Sequence, residues 1–412
     1  MTTPSEPALS RRLGLGDTVT LGLGSMIGAG IFVALAPAAA AAGTGLLIGL
    51  AIAGVVATCN AMSSAWLAAR YPQSGGTYVY GRERLGAFWG HTAGWSFIVG
   101  KTASCAAMAL TVGYYVWPQY AHAVAVAAVV ALTALGYAGV QRSALLTRVI
   151  VAGVLAVLAL VVTVLLGFGG AEASRLELGA DVSGYGVLQA AGLLFFAFAG
   201  YARIATLGEE VRDPAKTIPR AIPIALGITL VVYALVAVAV LAVLGGPGLA
   251  AAQAPLSDAV RAAGFAPLRP VVGVAAAAGA LGALLALLLG VSRTTLAMAR
   301  DRHLPYALAA VHPRHRTPYR AELAVGVVVA VLAAVVDLGS AIGFSSFGVL
   351  VYYAIANASA LTLGRRVLPT VGLAGCLTLA VTLPVTSVLA GAAVVAVGMV
   401  GYLAGARHRD GV

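Results

Sequence analysis

Apolar stretches long enough to cross a hydrocarbon core recur from about residue 15 to about residue 405, leaving little chain for anything else. A water-soluble domain carries roughly a quarter of its residues as Asp, Glu, Lys or Arg. Here 61% of the 412 residues are hydrophobic and 9% are charged, too few charges to cover a soluble surface. One continuous membrane domain is therefore expected, all α-helical, with about twelve transmembrane helices. Breaking the hydropathy pattern at polar, Pro and Gly clusters places them near 15–36, 45–68, 88–116, 121–140, 146–168, 187–207, 220–244, 267–298, 321–337, 341–362, 367–383 and 386–404. Cys59, Cys105 and Cys376 each fall within an apolar run without CxxC or Cys/His spacing, and are expected to be buried thiols with no metal or cofactor role. The polar stretch Met1 to Leu13 lacks the pattern of a cleaved signal peptide, so the first span is expected to remain as a helix.

The charges test the count, because Lys and Arg concentrate in loops on the cytoplasmic side. With the N-terminus inside, the cytoplasmic segments hold twenty basic residues: Arg11, Arg12, Arg70, Arg82, Arg84, Arg142, Arg148, Arg212, Lys216, Arg220, Arg293, Arg300, Arg302, Arg314, Arg316, Arg320, Arg365, Arg366, Arg407 and Arg409. The exterior loops hold Arg175, Arg261 and Arg269. This alternation predicts an even number of spans with both termini cytoplasmic. It also accounts for the net charge of +11 as a topology signal, not a nucleic-acid-binding face. Lys101 and Arg203 fall within spans and belong to neither set. No Asp or Glu lies in the middle of a span, so a proton path through a central carboxylate is not expected.

Two spans are interrupted. The run Gly22-Leu-Gly-Ser-Met-Ile-Gly-Ala-Gly-Ile-Phe32 carries four glycines, each weakening a helix by up to about 1 kcal/mol relative to alanine. The sixth span contains Phe195-Phe-Ala-Phe-Ala-Gly-Tyr201. Freed backbone is tolerated at membrane depth only where it meets protein, water or a ligand. Matching breaks in the first span of each five-helix half mark a secondary transporter of inverted repeats, with its binding site between the broken helices. Glycines in membrane helices also serve simple close packing. At a broken pair, half-helix N-termini offer N–H groups and C-termini offer carbonyls, which suits a zwitterion. An α-amino acid is expected to set its carboxylate on the amides of Gly28, Ala29 and Gly30, and its ammonium on carbonyls near Met26, Phe196 and Ala199.

The chain resembles the amino acid–polyamine–organocation (APC) superfamily, specifically bacterial amino acid permeases. The resemblance is carried by Ile27-Gly-Ala-Gly-Ile-Phe32, Tyr71-Pro-Gln-Ser-Gly-Gly-Thr-Tyr78, Phe195 to Tyr201, Glu209-Glu-Val-Arg-Asp-Pro214 with Ile218-Pro219, Ser292-Arg293, Met298-Ala-Arg-Asp301, Leu304-Pro305 and Thr317-Pro318. Together these cover about residues 13–365. The resemblance implies a 5+5 inverted-repeat fold plus two extra helices. Its parts are a tail at 1–13, repeats at 14–168 and 187–363, and two helices with a cytoplasmic tail at 364–412. It also implies alternating access and substrate contacts at Met26, Ile27, Gly28, Ala29, Gly30, Phe196, Phe198, Ala199 and Gly200, with Phe196 or Phe198 as an aromatic gate. The loop bearing Glu209 and Glu210 is either a solvated ion-pair cluster or a gate beneath the moving sixth helix.

Relatives with a coupling lysine in the fifth helix are not matched here, since Arg148 to Ala156 contains none. Sodium coupling would want Ser or Thr hydroxyls in the eighth span, and Gly273 to Gly290 holds none. Lys101 lies about a dozen residues into the third span, where an ammonium costs about 3 kcal/mol or more unless solvated, paired or neutral. It is expected to be a proton carrier or a fixed charge. Arg203, always charged, is expected to be a clamp or counter-ion near the inner vestibule. HExxH, GxSxG and Asp-rich metal motifs are absent, as are filter-like repeats, so an enzyme or a channel is not expected. The expected function is amino acid transport across a bacterial cytoplasmic membrane, proton-coupled or by exchange. Its partners are the substrate, the lipid bilayer and possible protons, with no nucleic acid. Neutral substrates are favoured because no buried carboxylate awaits a cationic side chain, the alternative being antiport of cationic amino acids, polyamines or amines. Arginine supplies 23 of the 25 basic residues, in keeping with a GC-rich bacterial genome.

Overall fold

The computed structural model describes residues 13–71, 75–139, 144–179, 182–201, 204, 211–315 and 317–409. Arg203, Glu209 and Glu210 lie outside the described residues. Apart from one isolated bridge between Leu13 and Val211, the regular structure described is helical. Among the described residues, ten helical stretches are long and apolar enough to cross a membrane. The helices Tyr319–Val335 and Val367–Thr382 stand where the sequence places the ninth and eleventh spans.

Several helix starts follow from local chemistry. Ser183 and Asp337 cap the sixth span (Gly184–Phe198, then a short 3-10 turn) and the tenth (Leu338–Leu361), accepting hydrogen bonds from the N–H groups of Gly186 and Ser340 at 3.0 and 2.9 Å. The seventh span, Pro214–Ala250, begins with Pro in its first turn, where a missing N–H costs nothing. Val149, Val231, Val274, Val327, Val381 and Val397 are exposed on an apolar outer surface of the kind lipid covers. Trp89, Trp117, Tyr120 and Tyr185 are exposed near helix ends, as interfacial aromatics are.

The third span, Ala87–Val116, is the most buried of the ten and packs against the tenth and against the eighth, Arg269–Arg300. Glycine permits a close approach of the third and tenth: a Cβ on Gly348 would stand 2.9 Å from the Gly100 Cα. The second span, Leu46–Arg70, joins the tenth and eleventh through a buried polar cluster. Asn357 Nδ2 donates to Asn60 Oδ1 at 2.6 Å, Ser63 Oγ donates to Asn357 Oδ1 at 2.7 Å, and the Cys376 thiol donates to Asn60 Oδ1 at 3.3 Å. The thiols thus sit in the helix core, and Cys376 serves as part of this interhelical contact.

Each interhelical hydrogen bond of this kind contributes about 0.6 kcal/mol on average, and a removed partner leaves buried polar groups unmet. Asn357→Ala is expected to lower the thermal unfolding midpoint of the detergent-solubilised protein; an unchanged midpoint would show that the cluster does not hold these three spans together.

Candidate functional site

The glycine run of the first span does interrupt the helix. Leu15–Met26 ends at Ile27, and the helix resumes at Gly30–Val33 and continues as Leu35–Ala42. The first N–H groups of the resumed helix lack intrahelical partners. In the sixth span the α-helix ends at Phe198 and tightens into the 3-10 turn Ala199–Tyr201. Glycine brings the two breaks together: a Cβ on Gly200 would lie 2.2 Å from the Ser25 carbonyl oxygen, and one on Gly30 would lie 2.5 Å from Ala197.

Side chains from two other spans meet the freed carbonyls. Tyr233 Oη, in the seventh span, lies 2.5 Å from the Met26 carbonyl and 3.0 Å from that of Ala197, so its one proton serves the first and sixth spans together. Lys101 Nζ donates to the Ala199 carbonyl at 3.1 Å. With Lys101 only 4% exposed, its ammonium faces the break and does not reach a lipid interface.

Between the breaks lies a cavity of about 170 Å³. Met26, Ala29, Gly30, Phe196, Ala199, Gly200 and Lys101 all line it. Ile27, Gly28 and Phe198, grouped with them from the sequence, do not. Phe198 is fully buried with its ring 5.1 Å from that of Tyr233, which leaves Phe196, of these two, at the cavity wall. The Gly28 position is taken up by helix packing, since a Cβ there would come within 2.5 Å of Ala283 in the eighth span, and Ile27 is buried in the core. Two of the three carbonyls expected to hold a substrate ammonium, those of Met26 and Ala199, already accept from Tyr233 and Lys101. Each carbonyl retains a second lone pair.

The cavity is asymmetric. Gly75, Tyr78, Arg293 and Ala297 extend its lining toward the side whose loops carry most of the basic residues. On the other side, Tyr115 Oη donates to the Phe32 carbonyl at 2.8 Å and accepts from the Leu256 N–H at 3.3 Å, with the Phe32 ring edge-on to Tyr115. At the basic mouth, Tyr78 Oη donates to Asp301 and lies 3.1 Å from His303 Nδ1, while Arg82 pairs with Asp301 at 3.0 Å. Burial, then the Asp301 carboxylate, push the Tyr78 hydroxyl well above the usual tyrosine range, so it stays protonated at neutral pH. In the fifth helix, Val151 stands against Gly24 of the first span and Val154 against Gly279 of the eighth. Arg148, at the start of the fifth helix, pairs with Asp17.

Tyr233, Tyr115 and Arg293 were not singled out from the sequence as site residues. The signal for Tyr233 was available, as a lone aromatic with a polar tip inside the apolar run Ile228 to Val243. Arg293 passed as one of many loop cations.

The family model for amino acid permeases matches residues 17–405. An uncharacterized transporter of Mycobacterium tuberculosis, Rv1999c, is 72% identical over 400 residues, spanning 96% of this chain and 91% of that protein. The branched-chain amino acid permease BcaP of Bacillus subtilis is 27% identical over 88% of this chain and 83% of its own length. Human cationic amino acid transporter 4 is 28% identical over 87% of this chain and 60% of its own.

Gly200→Ala is expected to force the two breaks apart and abolish substrate binding in protein that still inserts and purifies as a monodisperse species. Wild-type ligand affinity in that variant, measured by scintillation proximity, would refute the contact as the base of the site.

Proposed function

The chain belongs to the amino acid permease family, and from that premise we propose that it is a secondary active transporter moving amino acids across the cytoplasmic membrane by alternating access. The observation that carries this reading is the cavity between the broken first and sixth spans, which offers unpaired amides at one wall and carbonyls at the other. The amides at Ala29 and Gly30 receive the substrate carboxylate, and the second lone pairs of the Met26 and Phe196 carbonyls face its ammonium. Phe196 closes over the side chain.

Residues 14–168 and 187–363 act as the two inverted repeats, followed by the additional helices of 364–412. With both termini cytoplasmic, the cavity leads inward and the Tyr115–Phe32–Leu256 contact is the closed outer gate. Lys101 couples substrate occupancy to the sixth span, because its ammonium holds the Ala199 carbonyl of the same break that offers the Phe196 carbonyl to the substrate. Transport proceeds as proton symport or amino acid exchange. A cationic substrate is disfavoured, since Lys101 in the cavity wall would repel a positively charged side chain. Arg203, Glu209 and Glu210 are proposed for the inner gate on sequence grounds alone.

Counterflow tests the function. Proteoliposomes loaded with a mixture of unlabelled amino acids are expected to accumulate an external labelled amino acid transiently, and Gly30→Val, which blocks the approach to Ala197, is expected to reduce that uptake at least about ten-fold. Absence of counterflow for every amino acid would exclude this function.

A further inference from the structure

Lys101 stands in a wall with no acidic partner. Among the described residues it is in no ion pair, and the cavity lining holds no Asp or Glu. Its one recorded hydrogen bond, to the Ala199 carbonyl, occupies one of three ammonium donors. Neighbouring hydroxyls of the same cavity are committed within the protein: Ser25 Oγ donates to the Leu21 carbonyl at 2.9 Å, and Ser104 Oγ pairs with Ser345 Oγ at 2.5 Å. At the mouth, the Asp301 carboxylate is bound by Tyr78 and Arg82, and Arg293 lies at that basic end of the lining. Lys101 is therefore a cation deep in the cavity wall, beside the breaks, whose counter-charge the described residues do not supply.

We propose that the substrate supplies it: Lys101 is a specificity-determining residue that receives the side-chain carboxylate of an acidic amino acid. The proposal rests on the cavity being an amino acid site, and it replaces the neutral side chain favoured by the sequence. The α-carboxylate sits on the amides at Ala29 and Gly30, the α-ammonium faces the Met26 and Phe196 carbonyls, and the second carboxylate accepts from Lys101. Each charge of a dicarboxylic zwitterion then meets an opposite charge or dipole. An amide side chain of the same shape can accept one neutral-type bond but leaves the ammonium uncompensated, and charge-assisted bonds are roughly twice as strong. A cationic side chain is repelled.

Glutamate and glutamine, nearly isosteric, separate charge from shape. In proteoliposomes of the full chain, glutamate is expected to show a kcat/KM at least about ten-fold above that of glutamine. Lys101→Met should collapse this ratio toward one, and Lys101→Arg should retain a preference for glutamate. Glutamine transport equal to or better than that of glutamate by the wild type overturns the proposal while leaving the transporter reading intact; counterflow of no amino acid overturns both. An unchanged ratio in Lys101→Met also overturns the role of Lys101. Should that variant fail to fold, the wild type alone decides: glutamate is expected to raise its melting temperature more than glutamine does, and the reverse order contradicts the proposal.

Discussion

A polar backbone group inside a bilayer must find a partner within the protein, and the two interrupted helices raise that requirement at one place. The carbonyls freed at Met26, Ala197 and Ala199 are met by Tyr233 from the seventh span and Lys101 from the third. Those two side chains join four spans at the centre of the protein. Without them the breaks would leave buried acceptors unpaired, each costing about 1–3 kcal/mol. The same local chemistry that makes the breaks tolerable also shapes the cavity.

Rigid and movable parts are distributed around this point. Glycine contacts such as Gly100 with Gly348 and Gly28 with Ala283 hold the third span against the tenth and the break of the first span against the eighth at close range. The Asn60–Asn357–Cys376 cluster ties the second, tenth and eleventh. By contrast, the ends of the cavity carry few hydrogen bonds, Tyr115 to Phe32 on one side and Tyr78 and Arg82 to Asp301 at the mouth on the other. The proposed alternating access draws on such an arrangement, because gates built from a few bonds exchange at small cost while the scaffold retains its packing.

Much of this was legible in the sequence because a membrane imposes coarse, repetitive constraints. Span positions follow from apolar length, and the glycine run at Gly22 to Gly30 marks the break of the first span. Lys101 declared itself as a charge where charges are expensive. Facing was harder to read. Ile27, Gly28 and Phe198 adjoin the cavity residues in sequence, yet rotation about a broken helix turns them into the packed core, which no periodicity rule resolves over three or four residues. Tyr233 was invisible as a partner because its acceptors, Met26 and Ala197, are backbone atoms far away in the chain. Arg293 was read as a loop charge because its span ends close to a basic loop.

The most direct test of the central claim, that the broken first and sixth spans together form an amino acid site, is hydrogen–deuterium exchange of the purified protein with and without a transported amino acid. Peptides covering Gly24 to Val33 and Leu193 to Tyr201 are expected to exchange more slowly when substrate is present, while peptides from Val367 to Thr382 remain unchanged. Protection confined to other spans, with no change at either break, would contradict the assignment of the site.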